Sequence, residues 1–408
     1  MTVRGGAAAR RMSVLGTALL LAMAVPGGAV VASPAQAPAA AGRQKLPAMP
    51  SALPSDPQQS PCTPASKTEA QKQDWSRQRL DLGRVHQHGT GAGVTVAVVD
   101  TGVVTGAAGL KGRVKAEGEA GQDCVGHGTF VAGLVAGAAG GKPDLGGVAP
   151  QADVLALRGT DTRGMPSAAR VTAAVRAAVA AKADVITVSV ALPRRDAALT
   201  RAVQDARKAG IVVVAAATPD APAASEDPVP SKAYWPASEP GVLSVADMLP
   251  NGTRPENALR TQGIDLAAPG AGVVSVGPRG TGHYLGAGPS LGAAYTAGAA
   301  ALVRAAHPDA SADDVVRRLV STAYPGDLPQ LDPYAAVTAV TDDAQRSDAP
   351  GRTEAVALRD TGDADRAGGR ATLLALAGGG GVLAVLWAAF VLPRARARGW
   401  RPAARDET

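Results

Sequence analysis

The sequence predicts a doubly wound α/β domain with a mostly parallel sheet and helices on both faces. Three observations lead there. Short, β-branched runs recur at 94–99, 153–158 (DVLALR), 184–190 (DVITVSV) and 211–217 (IVVVAAA). They are apolar without alternation, as strands buried on both sides must be. Helical candidates rich in small residues separate them, at 127–137, 167–182 and 196–209, the last closed by Gly210, and strands alternating with helices build a parallel sheet.

The elements follow in chain order. Residues 33–66 are rich in Pro, Ala, Ser and Gln without periodicity and read as an extended arm, while the charged stretch 67–88 reads as a surface helix leading into the domain. After the four strands come further short ones at 241–246 and 264–276, around the turn APGAG. A helix from Ser290 to His307 follows, then a shorter one from Ala312 to Thr322 behind Pro308 and Ser311. Of the 408 residues, 46% are apolar, ample for a core, but only 3% are aromatic. The core is therefore expected to pack from small and β-branched side chains, which suits closely approaching helices and strands.

The formal charge of +6 is concentrated in arginines near the two ends, and no basic stripe interleaved with aromatics crosses the centre, so nucleic acid is not an expected partner. The end charges read as topology signals. Arg4, Arg10 and Arg11 precede the apolar run from Val14 to Val25, and small residues follow with cleavage positions after Ala32 or Ala37. That is the layout of a secretory signal peptide, assigned to 1–37. Near the other end, 371–392 is uncharged and almost wholly apolar, long enough to cross a bilayer of about 30 Å. Arg394, Arg396, Arg398 and Arg401 follow it. Such a positive flank keeps a tail (393–408) in the cytoplasm and everything before the span outside. The organisation expected is signal peptide 1–37, arm 38–74, folded domain 75–340, polar linker 341–370, transmembrane helix 371–392 and basic tail. In an exported chain the two cysteines, Cys62 and Cys124, suggest one disulfide, the alternative being two buried thiols.

Three segments carry candidate chemistry. Asp100 ends the first strand in VTVAVVDTG, at the carboxyl edge where open sheets present functional groups. His127 starts a helix in GHGTFVAGLVAG, and Ser290 starts another in GPSLGAAYTAGAAALVRAAHP. A serine attacks a carbonyl when a base takes its proton, and a histidine does so well when a carboxylate holds its other nitrogen. Alone, each residue has a plainer explanation: a turn-forming Asp, a His–Gly loop, a helix-capping Ser. Together, in this order and fold context, they supply the three roles of a charge relay.

With DTG after an apolar strand, HGTFVAG, and the Ser290 helix ending in ALVRAAHP, the chain resembles the subtilase family, whose order is also Asp, His, Ser. The strand before Ser189, YWPASEPGVLSVAD (234–247) and DLAAPG (265–270) match as well, and the resemblance covers roughly 75–340. The whole layout is similar to the mycosins, the subtilases associated with type VII secretion in actinobacteria: signal peptide, Pro-rich arm with a cysteine, a cysteine just before GHGT, and a C-terminal span. The resemblance implies a subtilisin-like fold and a membrane-anchored, extracytoplasmic serine endopeptidase acting on a peptide or protein substrate. Asp100, His127 and Ser290 would be its relay, the type VII machinery its partner, and it would need no cofactor.

Two departures weaken the expected activity. The serine block reads Gly288-Pro289-Ser290-Leu291-Gly292-Ala293-Ala294 where relatives carry G-T-S-x-A-x-P. Relatives also have Gly-Asn after the Ala run of the fourth strand; here Thr218 and Pro219 stand there, so the side-chain amide of the oxyanion hole is missing. The two asparagines of the chain, Asn251 and Asn257, lie in a later loop. Other readings fare worse. The Gly288-x-Ser290-x-Gly292 elbow of α/β-hydrolases needs an acid and then a histidine after the serine; His307 follows, with no acid between. A second DTG at Asp360 lies in the polar linker, not at a strand end as a two-carboxylate protease requires. No metal constellation is visible among the five histidines, and no Cys-x-x-Cys occurs. The competing class is a subtilase-fold protein that no longer cleaves and serves as a structural part of a secretion complex.

Overall fold

The computed structural model describes residues 45–56, 58, 61–220, 232–340 and 362–399. The expected signal peptide, the first residues of the arm, most of the linker and the end of the tail lie outside them. The chain divides into two compact units, Met1–Thr341 and Asp342–Thr408.

In the first unit the elements run α1 (Trp75–Arg79), α2 (Leu82–Val85), β1 (Thr95–Asp100), β2 (Val114–Ala116), a 3₁₀ turn (Gly118–Gly121), α3 (His127–Ala136), β3 (Asp153–Arg158), α4 (Ala168–Ala180), β4 (Val185–Val188), α5 (Ala197–Lys208) and β5 (Val212–Ala216). They continue with β6 (Leu243–Met248), β7 (Leu266–Pro269), β8 (Ala271–Val276), β9 (His283–Ala287), α6 (Pro289–Ala306), α7 (Ala312–Ser321) and α8 (Pro333–Thr338). Seven strands form one sheet in the order β2-β3-β1-β4-β5-β6-β7, and every pairing in it is parallel. This is the doubly wound α/β architecture the sequence predicts, with β8 and β9 added as an antiparallel hairpin.

The strand residues alternate between two cores. Val96, Val98, Val154, Val185, Val214 and Val245 face α3 and α6. Ala97, Val99, Ile186, Val188 and Val213 face α4 and α5. Helix α6 is sequestered without a break from Pro289 to Val303, and a helix apolar all round belongs in the middle of a domain. Its small side chains let it lie across β4 to β7. Helices α4 and α5 bear charge on their outer faces, and α5 is capped by Asp196, whose carboxylate accepts from the N–H groups of Ala198 and Leu199 at 2.9 Å.

The expected helix over 67–88 is corrected to two short ones. Asp74 caps α1 only at residue 75, and Asp81, with φ of 48°, breaks the path between α1 and α2. The break has a packing reason. Arg77 is buried and donates to both oxygens of Asp74 and to the carbonyls of Gly146, Val274 and Leu145, which ties α1 to β8 and to the loop before β3. The arm also has a fixed course. Met49 N–H donates to Leu285 O and Leu285 N–H to Pro47 O, each at 2.9 Å, so residues 47–49 run along β9.

In the second unit, α9 spans Gly362–Ala397. Its segment Arg370–Ala397 is the one helix among the described residues long and apolar enough to cross a membrane, and the apolar part is not buried against protein. It extends beyond 371–392 at both ends and takes up the last residues expected in the linker.

Candidate active site

The parallel sheet brings its functional residues to one edge because each strand ends in a loop there. Asp100 is the last residue of β1 and fully buried. His127 opens α3, the helix that packs over β1, and Ser290 is the second residue of α6. Residues 27 and 163 positions apart thus meet: His127 Nδ1 lies 2.9 Å from both carboxylate oxygens of Asp100, and Ser290 Oγ lies 3.1 Å from His127 Nε2. Because the Asp100 carboxylate only accepts, it fixes the proton on Nδ1 and directs Nε2 at the serine.

A second acid, Asp123, sets the position of His127 and was not singled out from sequence. Its carboxylate accepts from Thr101 Oγ1 (2.9 Å), Gly126 N–H (2.7 Å), and the N–H and hydroxyl of Thr129 (2.9 and 2.8 Å). Thr101 Oγ1 in turn accepts from Gly128 N–H at 2.9 Å. The first turn of α3 is therefore tied to the loop after β1 by side chains, which supplies the N-terminal acceptors that Gly126 cannot. Gly128 has to be glycine, since a Cβ there would collide with the carbonyl oxygen of Gly102. Gly128→Ala is expected to push His127 off Asp100. The loss of turnover should be about 10²-fold, the scale of a 1 Å misplacement, and is read as kcat/KM against wild type.

Thr218 and Pro219, expected at the oxyanion position, lie in the loop leaving β5, with Thr218 buried, and neither is among the hydrogen-bond partners of Ser290. The residue that reaches Ser290 from this loop is the next one, Asp220. Its Oδ1 accepts from Ser290 N–H at 3.0 Å, its Oδ2 accepts from Ser290 Oγ at 2.6 Å, and Oδ2 stands 3.1 Å from His127 Nε2. Gly288 makes room for it, because a Cβ there would collide with the Asp220 carboxylate. The site thus holds a carboxylate on either side of one imidazole.

The electrostatics follow. Burial by itself would lower the pKa of His127, but the Asp100 carboxylate and then that of Asp220 outweigh it and raise it well above the usual imidazole range. Contacts of the charged ring therefore stabilise the fold fully below the ordinary imidazole pKa and fade as pH climbs through the raised one. For Asp100, burial pushes upward, but the facing imidazole and its hydrogen bond prevail and hold the carboxyl below its ordinary value. Behind Asp220 lies Asp247 of β6. Its pKa is pushed up to about 6, first by burial, with Arg254 opposing and Asp220 adding to the rise.

The arm lines one side of the cleft. Met49, Pro50 and Ser51 enclose a small cavity with His127, Phe130 and Leu291. Further along, Cys62 is disulfide-bonded to Cys124, three residues before His127, and Thr63 N–H donates to Cys124 O at 2.9 Å. The even cysteine pair is thus one bond joining the arm to the loop that presents His127. Among the described residues, no group of three or more His, Cys, Asp or Glu could hold a metal.

A parallel sheet with Asp, His and Ser in this arrangement defines the subtilisin-like class of serine-protease folds. The model of the subtilase family (Peptidase_S8) matches residues 91–366, and the chain belongs to that family. It is 31% identical over 265 residues to the alkaline protease of Alkalihalobacillus alcalophilus, covering 63% of this chain and 66% of that protein, so it spans just under two thirds of that relative's length. It is 33% identical to subtilisin BL of Lederbergia lenta over 62% of this chain and 92% of the relative. Among solved structures, the MycP3 protease from the type VII (ESX-3) secretion system shares 30% identity at a TM-score of 0.59, covering 76% of this chain and all of that one. MycP1 from Mycobacterium smegmatis shares 27% at 0.58, covering 77% and 93%. By its structural neighbours the chain is mycosin-like.

Proposed function

We propose that this chain is a serine endopeptidase whose relay is Asp100, His127 and Ser290, anchored by a single C-terminal span with its catalytic domain outside the cytoplasm. The observation that carries the reading is the chain of contacts from Asp100 through His127 to Ser290, at 2.9 and 3.1 Å, within a subtilase domain. His127 Nε2 would take the serine proton and return it to the leaving amine, while Asp100 holds the ring. The Ser290 N–H, near the start of α6, would face the developing oxyanion, where the helix end favours negative charge. The likeness to MycP3, a protease described as part of a type VII system, supports the secretion machinery as partner. The domain limits read from the sequence, 75–340 for the peptidase and 341–370 for the linker, belong to this reading.

A second reading has its own observation. A carboxylate in place of an amide beside Ser290 suits a subtilase that binds without cleaving. The two separate when the purified chain is given an unbiased peptide library: the peptidase cleaves internal bonds, slowly, and Ser290→Ala does not. Cleavage that survives Ser290→Ala rejects the relay, and none from either protein favours the second reading. For the topology, proteolytic shaving of intact cells is expected to release the domain and spare the Arg-rich tail; the reverse pattern contradicts the anchor.

A further inference from the structure

Asp220 does more than replace a donor. We infer that Asp220 is an internal inhibitor of the active site: its carboxylate occupies the place of the substrate's oxyanion and shares a proton with His127, so that the base is held out of use. The inference rests on the peptidase reading of Ser290 and follows from counting protons. Asp100 takes the proton on His127 Nδ1. On the other side three atoms converge, with Asp220 Oδ2 at 2.6 Å from Ser290 Oγ and 3.1 Å from His127 Nε2. Were Asp220 ionised and His127 neutral, Oδ2 and Nε2 would face each other as two acceptors with no proton between them. One additional proton on the pair resolves this: Nε2 and Oδ2 share it, Ser290 Oγ–H donates to Oδ2, and Ser290 N–H donates to Oδ1. Every polar group is then satisfied, as a buried site requires.

The same arrangement is inert towards peptides. The Nε2 lone pair that should take the serine proton is engaged, the serine hydroxyl is directed at Asp220, and the main-chain oxyanion donor is already in use. The tight seat is built in, since Gly288 leaves just the space the carboxylate fills and the N-terminus of α6 favours its charge. The ionisable groups facing the pair are Asp100 from β1 and Asp247 from β6, with Arg254 beside the latter; α6 presents the neutral Ser290. Two carboxylates beside one imidazole favour its charged form, in line with the raised pKa of His127.

Asp220→Asn removes the shared proton and the charge that seats the side chain on Ser290 and His127, so that its amide can move aside and donate to the oxyanion; Asp220→Ala removes the proton without supplying a donor. The titration midpoint of His127, followed by NMR of its ring, is expected to fall in both variants, and the acid limb of the kcat/KM profile to move to lower pH with it. At neutral pH kcat/KM should rise about 10²–10³-fold in Asp220→Asn, the scale known for such a donor in subtilisin, and less in Asp220→Ala. An unchanged midpoint overturns the inference, as does a wild type already as fast as Asp220→Asn, and either leaves the peptidase reading standing. A lowered midpoint with no cleavage by any variant supports the shared proton and removes the peptidase reading instead.

Discussion

Ser290→Ala is expected to abolish peptide hydrolysis. The hydroxyl is the one nucleophile in contact with His127 Nε2, and the variant leaves the Ser290 backbone N–H, α6 and the buried core around it unchanged. In subtilisin the corresponding loss is about 10⁶-fold in kcat, a magnitude borrowed from that enzyme. Wild-type turnover is expected to start lower if the Asp220 carboxylate restrains the site, and the measurable fall is then smaller. The comparison is best made in the Asp220→Asn background, where the full range is open. Residues acting as one unit lose activity together, so His127→Ala added to Ser290→Ala should cost nothing further.

Replacing both cysteines with serine is expected to destabilise the fold. The bond closes a loop with a sequence separation of 62, for which the chain-entropy model gives about 4 kcal/mol. The loss would be local as well as global. Without the bond the loop carrying Asp123 and Gly126 is tied to the arm by hydrogen bonds alone, from Thr63 N–H to Cys124 O and from the Thr63 hydroxyl to Val125 O, while residues 47–49 keep theirs along β9. Denaturant unfolding of the oxidised wild type and the double variant measures this directly. A midpoint that does not move would mean that the arm and β9 hold the loop unaided.

How much of this was legible in the sequence depended on whether the signal was local. The strands of the sheet core and the helices between them were legible, since strands buried on both faces read as short, mostly apolar and β-branched runs, as in Val94 to Val99 and IVVVAAA. Asp100, His127 and Ser290 were legible because each sits at an element boundary inside a patterned block. Asp220 was not. After a strand, Thr-Pro-Asp reads as a turn, and nothing local says that the turn folds under the start of α6 to meet a serine 70 positions on. Asp123 escaped for the same reason, as its partners are backbone N–H groups and threonine hydroxyls that only the fold brings to it. The β9 strand, HYLGA, does alternate, with Tyr284 and Gly286 buried between more exposed neighbours, but a glycine in the inward row hides the period. The helix expected over 67–88 failed because the buried Arg77–Asp74 pair, a tertiary contact, decides where α1 starts and turns.

Fluorophosphonate labelling followed by peptide mapping of the adduct shows whether Ser290 is an activated nucleophile restrained by Asp220. A single adduct on Ser290 is expected, formed slowly in wild type and much faster in Asp220→Asn, and lost in both when His127 is replaced by alanine. No adduct on Ser290 in folded Asp220→Asn, or one that forms equally fast without His127, would contradict it.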